Sequence, residues 1–254
     1  MTGAQTWLAL AIGNSRSHWA EFQGDQLVKH WDAPHLSEAE SAPLPSHTPV
    51  DVWIASVVPP QSDRWRTYSR SRFITLEDIP LSGMYPTFGV DRALALWGAI
   101  QTIAAPVLVI DAGTALTFTG ADADRRLVGG AIAPGLRLQL QALNQGTAAL
   151  PEVLFATTDT DLPMQWATDT KGAIASGVFY TLLAGIQAFI ADWHRQYPAS
   201  PVVLTGGDGD RLAAALRSVA PELTPFLNVQ PTLIFAGIQA VRSAILNRSR
   251  TGNP

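Results

Sequence analysis

The N-terminal part of the chain alternates between apolar and polar positions in a way that predicts three short strands. In this first β unit, residues 6–31, an apolar run over 6–12 ends at a Gly-Asn-Ser turn and alternation resumes over 18–22. The tripeptide Gln23-Gly24-Asp25 then provides a hairpin turn before a third strand pattern. Period-two alternation between turn residues indicates antiparallel strands.

The central part of the chain repeats this plan. In the second β unit, residues 107–135, an apolar run ends at Asp111, a Gly-Thr turn follows, and two further strand patterns complete the unit. At an offset of 100 residues, Gly13 aligns with Gly113 and Ala11 with Asp111. Such a repeat predicts two similar domains, although two three-stranded meanders can also share a glycine turn by chance.

The rest of the pattern predicts helices and strands in alternation. Helices are predicted at 61–71, 90–103, 136–144, 171–197, 211–219 and 231–246. Strands are predicted at 50–58, 72–76 and 202–204. Weak periodicity predicts loops at 33–49, 81–89 and 145–170 and a frayed polar tail at 247–254. A loop as long as the one over 145–170 is typical of a functional segment.

Composition narrows the class of protein. Of 254 residues, 47% are apolar and 15% charged, which is enough to bury a sizeable core in one or two domains. The net charge of −4 offers no electrostatic footprint for nucleic acid or an anionic membrane. The absence of cysteine excludes disulfides and thiolate chemistry. Without a basic leader or an apolar run of about 18 residues, we expect a soluble cytoplasmic α/β protein.

The two glycine turns and the segment Thr205-Gly206-Gly207-Asp208-Gly209 could handle phosphate. Small residues let backbone N–H groups approach a polyanion, and the carboxylate of Asp111 could hold a cation beside it. An alternative is that Asp111 only satisfies its own turn. Residues 205–209 could equally be an ordinary strand-to-helix turn.

An acid and a guanidinium stand together at a predicted helix start, at Asp91 and Arg92. Asp91 could be a helix cap with Arg92 on the surface. It could also be a base that accepts a hydroxyl proton next to a cation that holds a carboxylate or phosphate. His18, just past the first turn, could reach a phosphate or could simply be a strand residue. The five histidines show no metal-ligand spacing.

The order of these motifs resembles the layout of the acetate-kinase, sugar-kinase, heat-shock and actin superfamily. The resemblance implies an α/β fold of two ribonuclease-H-like domains of the actin-like ATPase type, with a cleft between them. We expect an N-terminal domain of residues 1–105 and a C-terminal domain of residues 106–254. The C-terminal helix could pack back across this boundary.

Within that superfamily the chain resembles the type III pantothenate kinases over essentially its whole length. The matching segments are Ile12-Gly13-Asn14-Ser15, Gly89-Val90-Asp91-Arg92 preceded by Tyr85, 111–117 (DAGTALT), 129–135 (GGAIAPG), Phe155-Ala156-Thr157, 170–177 (TKGAIASG) and 205–209. The resemblance implies transfer of the ATP γ-phosphoryl group to the 4′-hydroxyl of pantothenate, which is the first step of coenzyme A biosynthesis.

The resemblance also implies roles for individual residues. Asp91 is the catalytic base, and the pantothenate-binding residues are Tyr85, Gly89, Val90, Asp91, Arg92 and, from the neighbouring subunit of a homodimer, Thr170. Asp111 holds a monovalent cation, K⁺ or NH₄⁺. ATP, carried with Mg²⁺, contacts Ala11, Ile12, Gly13, Asn14, Ser15, Arg16, Ser17, His18, Thr114, Gly206 and Gly207.

One position departs from the family pattern. The first loop of the family usually opens with an Asp that helps to hold Mg²⁺, and here that position is Ala11. Because Mg²⁺ keeps most of its waters and travels with the ATP phosphates, activity can survive this change. Two alternatives stay open: a regulatory protein that binds nucleotide or pantothenate on the same fold, and a kinase for another small hydroxy acid.

Overall fold

The computed structural model describes residues 5–36, 49–155 and 162–251. Its strands are β1 (Thr6–Ile12), β2 (Ser17–Gln23), β3 (Gln26–Ala33), β4 (Asp51–Ser56), β5 (Ser71–Phe73), β6 (Val107–Ala112), β7 (Ala115–Ala121), β8 (Leu127–Pro134), β9 (Val202–Thr205) and β10 (Leu227–Val229). Its α-helices are α1 (Pro59–Asp63), α2 (Val90–Thr102), α3 (Leu136–Gly146), α4 (Thr170–Gln196), α5 (Gly209–Val219) and α6 (Leu233–Thr251).

The chain divides into two compact units. The first combines the residues up to Ile103 with those from Thr232 onward, and the second is Ala104–Pro231. Each unit has one mixed five-stranded sheet, with strand orders β3-β2-β1-β4-β5 and β8-β7-β6-β9-β10. The two orders correspond strand by strand, so the repeat inferred from the glycine turns extends to the whole sheets. The α/β prediction is confirmed.

Strand β1 is the centre of the first sheet. It pairs antiparallel with β2 and parallel with β4, and every residue after Thr6 is buried, as expected for a strand covered on both faces. On one face Leu8 and Leu10 join a core that includes the fully buried Trp65. On the other face the Trp7 ring stacks on Phe22 at a centroid distance of 4.3 Å.

Helices α2 and α6 pack together in the first unit because two glycines remove side chains from their contact. A Cβ on Gly98 would lie 2.3 Å from the carbonyl oxygen of Leu233. A Cβ on Gly237 would lie 2.0 Å from the carbonyl oxygen of Leu94. The helix backbones therefore touch directly. This contact places α6 in the first unit. Helix α6 lies within the expected C-terminal domain of residues 106–254, but the sequence analysis also allowed the C-terminal helix to pack back across the boundary.

The second unit is built around β6 and the 27-residue helix α4. Strand β6 pairs antiparallel with β7 and parallel with β9, as β1 does with its own neighbours. Helix α4 is long and apolar enough to cross a membrane, judged by length and composition alone. Ten of its residues are buried, however, and eight of these pack in one core with residues of β6, β9, α3 and α5. Its apolar face thus serves the core of the unit.

Two sequence predictions of secondary structure were wrong in part. The helix expected over 61–71 is only the short α1. The residues after it form single turns, in which the Tyr68 N–H donates to the Trp65 carbonyl oxygen at 3.1 Å and the Ser71 N–H to the Tyr68 carbonyl oxygen at 3.0 Å. The Tyr68 hydroxyl donates to the Val50 carbonyl oxygen at 2.7 Å, and the Ser71 hydroxyl donates to the Trp65 carbonyl oxygen at 2.8 Å. The tail expected to fray from residue 247 instead continues α6 to Thr251.

Candidate active site

The first glycine turn connects β1 to β2. The Gly13 N–H donates to the Arg16 carbonyl oxygen at 3.0 Å, which closes the turn. The Gly13 carbonyl oxygen lies 2.8 Å from Nε2 of His35 and accepts its hydrogen bond. Asn14, Ser15 and Arg16 are exposed. The turn is therefore held at its base while its tip stays accessible to a ligand.

Beneath this turn, the strands pair Ala11 with His18 and Ile12 with Ser17. Ala11, Ile12 and Ser17 are buried, whereas 43% of the His18 side chain is exposed. The imidazole Nδ1 of His18 lies 2.7 Å from Oδ1 of Asp32 on β3. Of these predicted ATP-binding side chains, His18 is thus the one that reaches the surface next to the turn.

Helix α2 presents Asp91 in its first turn. The Arg92 N–H donates to Oδ1 of Asp91 at 2.8 Å, so the carboxylate satisfies a backbone donor at the helix start. A Cβ on Gly89 would lie 2.5 Å from the same Oδ1. Glycine at this position leaves room for the carboxylate, which is half-buried. The N-cap residue of α2 is Gly89 and Arg92 is buried, so the alternative with Asp91 as the helix cap and Arg92 on the surface is wrong. The role of Asp91 as a base stays a prediction.

Arg92 is held in a fixed position beside this carboxylate. Its side chain is buried, and its guanidinium carbon lies 4.8 Å from the ring centroid of Phe88. Its Nη1 donates to the Tyr85 hydroxyl at 3.4 Å. The Tyr85 ring in turn contacts Phe88 edge-on, at a centroid distance of 5.2 Å. The result is a cation with a set position beside an acid, which suits recognition of an anionic group.

The second glycine turn joins β6 to β7. The Gly113 N–H donates to the Ala115 carbonyl oxygen at 3.1 Å, and the Gly135 N–H donates to the Thr114 carbonyl oxygen at 2.9 Å. A Cβ on Gly135 would lie 2.2 Å from the Gly113 carbonyl oxygen. Gly135, which starts the connection from β8 to α3, thus packs directly on the turn, and the exposed Thr114 lies at its tip.

Asp111 and Gly206 lie together at the end of β6 and β9. The two strands pair Asp111 with Thr205, so the residue after Thr205 comes next to the carboxylate. A Cβ on Gly206 would lie 2.4 Å from Oδ1 of Asp111 and 2.7 Å from the Ala112 carbonyl oxygen. Gly206 also has φ +83°, a left-handed conformation that favours glycine. This glycine therefore sets the space around the Asp111 carboxylate.

The turn continues into helix α5 through the exposed Gly207 and the half-buried Asp208. The Asp208 N–H donates to the Ala112 carbonyl oxygen at 3.0 Å, which ties the turn to β6. Burial raises the pKa of the Asp208 carboxyl above its ordinary value, while the nearby Arg211 and Arg137 act in the opposite direction. The Arg211 guanidinium also lies over the Phe155 ring at 5.2 Å.

Thr170 begins helix α4 and is exposed. The preceding residue, Asp169, caps the helix by accepting the Gly172 N–H at 2.9 Å. Residues 156 and 157, which contributed to the family resemblance, lie outside the described residues.

The predicted site residues are divided between the two units. In the first unit, residues 11–18 form the first turn and its supporting strands. The start of α2 contains Val90, Asp91 and Arg92, preceded by Gly89 and by Tyr85 in the loop. In the second unit, Asp111 and Gly206 are adjacent, while Thr114, Gly207 and Thr170 are exposed at turn tips or a helix start. The cleft expected between the domains stays a prediction.

The sequence analysis missed three supporting residues. Asp32 and His35 bond to the first turn and its strand, and Phe88 packs under Arg92. A polar residue at the end of β3 was the available signal for Asp32, because the hairpin register sets it opposite His18. His35 has no comparable signal, since its contact depends on the course of a loop.

The donors at these sites are suited to cations that bind oxygen. Within the described ranges, no group of three or more His, Cys, Asp or Glu residues could hold a metal ion. A single carboxylate near backbone carbonyl oxygens, as at Asp111, fits a hard cation of low charge better than a transition metal.

Two mixed five-stranded sheets with corresponding strand orders are the fold of the actin-like ATPases and sugar kinases. A ROK family glucokinase from Streptomyces griseus, solved with glucose and AMPPNP, matches with a TM-score of 0.55 at 13% identity and covers 94% of this chain and 99% of its own. A Baf family transcriptional activator from Campylobacter jejuni matches with a TM-score of 0.64 at 21% identity and covers 94% of this chain and 99% of its own. At these identities the likeness concerns the fold alone.

Sequence comparison identifies the family. The model of the type III pantothenate kinases matches residues 7–192. The type III pantothenate kinase of Nostoc sp. strain PCC 7120 is 44% identical, over 94% of this chain and 95% of the relative. The type III pantothenate kinase of Synechocystis sp. strain PCC 6803 is also 44% identical, over 92% of this chain and 90% of the relative. The chain belongs to the type III pantothenate kinase family, and the resemblance stated from its motifs is confirmed.

Proposed function

We propose that this protein is a kinase that phosphorylates pantothenate with ATP, giving 4′-phosphopantothenate for coenzyme A biosynthesis. Membership of the family supports this reaction. The structural observation that carries the proposal is the pairing of an accessible carboxylate, Asp91, with a fixed guanidinium, Arg92, at the start of one helix. A hydroxy acid needs both groups: a base for its hydroxyl and a cation for its carboxylate.

Asp91 acts as the base. Its Oδ1 is engaged by the helix N-terminus, which fixes the side chain and leaves Oδ2 as the acceptor for the 4′-hydroxyl proton. Phosphoryl transfer has a loose transition state, so the hydroxyl becomes acidic late and a carboxylate of ordinary basicity suffices. Most of the acceleration then comes from positioning and from neutralisation of charge.

Arg92 binds the carboxylate of pantothenate. Packing on Phe88 and the contact with the Tyr85 hydroxyl remove much of the rotational freedom of the guanidinium, so little entropy is lost on binding. Tyr85, 46% exposed, supplies a ring and a hydroxyl to the same substrate. Gly89 and Val90 bring the backbone of the helix start into contact with it.

ATP is bound through its phosphates at the two glycine turns. The exposed tip of the first turn, with His18 beside it, and Thr114 on the second turn supply donors to phosphate oxygens. Gly206 and Gly207 allow the nucleoside to approach the backbone before α5. Mg²⁺ arrives with the nucleotide and keeps most of its water ligands. When bound, it neutralises charge on the transferred phosphoryl group.

Asp111 holds a monovalent cation, K⁺ or NH₄⁺, beside the phosphates. The shape of the Gly206 turn supports this role, because it keeps side-chain atoms away from the carboxylate. The protein acts as a cytoplasmic homodimer in which Thr170 reaches the pantothenate of the neighbouring subunit. An apolar groove of about 720 Å³ between α3 and α4, which includes Thr170 in its lining, supports a subunit contact on this side of α4.

The test is release of ADP on addition of pantothenate, with Mg²⁺ and with K⁺ exchanged for Na⁺. We expect ADP only when pantothenate is present, and a faster rate in K⁺. Phosphopantothenate identified by mass spectrometry would complete the assignment. Pantothenate-independent ADP release would contradict the proposal, and release with a different hydroxy acid alone would favour the other-substrate kinase. Nucleotide binding without any release would favour the regulatory alternative.

A further inference from the structure

Residues 147–169 connect α3 to α4 and lead directly to Thr170. Neither of their described parts, 147–155 and 162–169, contains a helix or a strand. Because such a segment has no regular ladder of backbone hydrogen bonds, side-chain contacts determine where it lies. We call residues 162–169 the approach segment, since they end where α4 begins. Contacts along the approach segment therefore influence the end of α4 at which Thr170 lies.

Two hydrogen bonds fasten the approach segment to α4. The Tyr180 hydroxyl donates to the Pro163 carbonyl oxygen at 2.9 Å. The Ser176 hydroxyl donates to the Gln165 carbonyl oxygen at 2.7 Å, and Ser176 is buried. Both donors belong to the N-terminal half of the helix. The approach segment is therefore attached to the same part of α4 that begins with Thr170.

Phe155 attaches the other described part of the connection to the same helix. Its ring centroid lies 5.7 Å from that of the buried Phe179, with the ring planes inclined at 50°. The Phe179 ring in turn contacts the Tyr180 ring edge-on, at a centroid distance of 6.0 Å. Phe155 and Pro163, which flank residues 156–161, are thus held by two consecutive residues of α4.

Arg211 connects Phe155 to the turn at residues 205–209. Its guanidinium carbon lies 5.2 Å from the centroid of the Phe155 ring. Burial raises the pKa of the Asp208 carboxyl, and the charges of Arg211 and Arg137 act in the opposite direction, which indicates that Arg211 also lies near this carboxylate. A cation in the first turn of a helix is disfavoured by the helix dipole, and the ring and the carboxylate offset this effect. The guanidinium therefore bridges the turn and the connection to α4.

We propose that Arg211 and Phe155 are positioning residues that couple the turn at residues 205–209 to the approach segment. The inference rests on the proposed function, in which this turn receives the nucleotide and Thr170 serves pantothenate. A nucleotide on the turn restricts Arg211 and, through Phe155 and α4, the approach segment. Part of the ordering that pantothenate requires then accompanies nucleotide binding, so the second ligand binds more tightly.

The first experiment measures amide hydrogen exchange of residues 164–169 in the full-length protein, with and without AMPPNP and Mg²⁺. We expect the nucleotide to slow exchange in this segment about fivefold in the wild type. In Arg211→Gln, which removes the charge and the planar guanidinium, the nucleotide should change exchange by less than about twofold. Arg217→Gln is the matched control, because Arg217 is an exposed arginine in the last turn of α5.

The partner side of the contact gives two further variants for the same measurement. Phe155→Leu keeps an apolar side chain but lacks the ring, so it should lose the nucleotide response as Arg211→Gln does. Phe155→Tyr keeps the ring and should retain the response. Because both Arg211→Gln and Phe155→Leu break one contact, their effects should not add in the double variant.

The second experiment measures the affinity for pantothenate by calorimetry, with and without AMPPNP. We expect the nucleotide to tighten binding of pantothenate about fivefold in the wild type and in Arg217→Gln. In Arg211→Gln this ratio should fall below about twofold, while the affinity for pantothenate alone stays at the wild-type value. A merely structural role of Arg211 would instead lower both affinities together with the unfolding temperature.

The outcome is separable from that of the proposed function, because hydrogen exchange needs neither pantothenate nor turnover. A nucleotide response of residues 164–169 that Arg211→Gln abolishes would sustain the inference even in a protein that releases no ADP with pantothenate. An equal response in Arg211→Gln and wild type would overturn it, as would a wild type that shows no response or binds no nucleotide. Weaker binding of pantothenate in the presence of AMPPNP would also overturn it. If Arg211→Gln does not fold, Phe155→Leu and Phe155→Tyr decide by the same criterion.

Discussion

Single residues at the start of helix α2 combine a structural contact with a proposed chemical role. Asp91 gives one carboxylate oxygen to the backbone N–H of Arg92, which fixes the side chain in place. Gly89 leaves the space that this carboxylate occupies, and Phe88 supports the neighbouring guanidinium. Substitutions that keep this hydrogen bond but change the chemistry of the side chain can therefore separate the two roles.

Asp91→Asn should abolish most turnover and leave the fold intact. The amide oxygen of Asn can still accept the hydrogen bond from the Arg92 N–H. We therefore expect the free energy of unfolding to fall by no more than about 1 kcal/mol, because a negative charge is lost at the helix N-terminus. Loss of the base should lower kcat by about 10² to 10⁴, measured as pantothenate-dependent ADP release. Asp63→Asn, an exposed acid on α1, is the control. A near-normal rate would remove Asp91 from the role of base.

Arg92→Lys should raise the KM for pantothenate about tenfold with a smaller effect on kcat. Lysine keeps the charge but lacks the planar fork that stacks on Phe88 and binds a carboxylate with two hydrogen bonds. Arg66→Lys is a matched control, because Arg66 also lies over a phenylalanine ring, that of Phe73 at 5.4 Å. Unchanged steady-state kinetics in Arg92→Lys would argue against contact with the substrate carboxylate.

At the scale of elements, glycines determine how close two backbones come. In the second unit, the turn between β9 and α5 lies against Asp111 because Gly206 has no side chain. In the first unit, Gly98 and Gly237 let α2 and α6 touch, which fixes the C-terminal helix behind the helix that carries Asp91. We therefore expect alanine to have different effects at Gly206 and at Gly237.

Gly206→Ala should displace the Asp111 carboxylate. The added methyl would lie 2.4 Å from Oδ1, and φ +83° is strained for alanine. We expect lower thermal stability and a kinase rate that no longer distinguishes K⁺ from Na⁺. Gly207→Ala is the stability control, because its methyl would meet no atom of the described residues within 4 Å. A preserved K⁺ response in Gly206→Ala would separate Asp111 from the cation.

Gly237→Ala should destabilise the protein by about 1–3 kcal/mol, the usual cost of overpacking. Its methyl would lie 2.0 Å from a backbone oxygen, which cannot move as a side chain can. Gly185→Ala on α4 is the control, because its methyl would meet no atom of the described residues within 4 Å. This substitution should be neutral or stabilising by up to about 1 kcal/mol. Urea unfolding compares the two. Equal midpoints would show that α2 and α6 do not pack through Gly237.

At the scale of the whole molecule, the proposed dimer makes a prediction about mixtures. A sedimentation mass of twice 27.2 kDa is expected at micromolar concentration. If Thr170 serves the neighbouring subunit, mixing inactive Asp91→Asn with impaired Thr170→Ala should restore activity, because one site of each heterodimer then has both intact residues. If the activity of the mixture stays at the level of the separate variants, Thr170 and Asp91 act in the active site of the same subunit. A single-chain mass would reject the dimer.

The sequence alone determined the strands of both β units, the helices from α2 to α5 and the family. These are local properties: periodicity fixes which residues share a face, and glycine turns fix where strands end. Asp91, Arg92 and Asp111 could be chosen as candidates for the same reason, since their residue types stand next to strand or helix ends. The family then gave these candidates roles that composition alone could not.

Only the tertiary structure decided which distant residues support the site. The end of α1 and the place of α6 in the first unit depend on contacts with other elements. The contact of His35 with Gly13 joins residues 22 positions apart, and the pairing of Ala11, His18 and Asp32 across the first sheet requires the register of three strands. Periodicity shows how a segment folds by itself, whereas such contacts depend on how the segments pack in three dimensions.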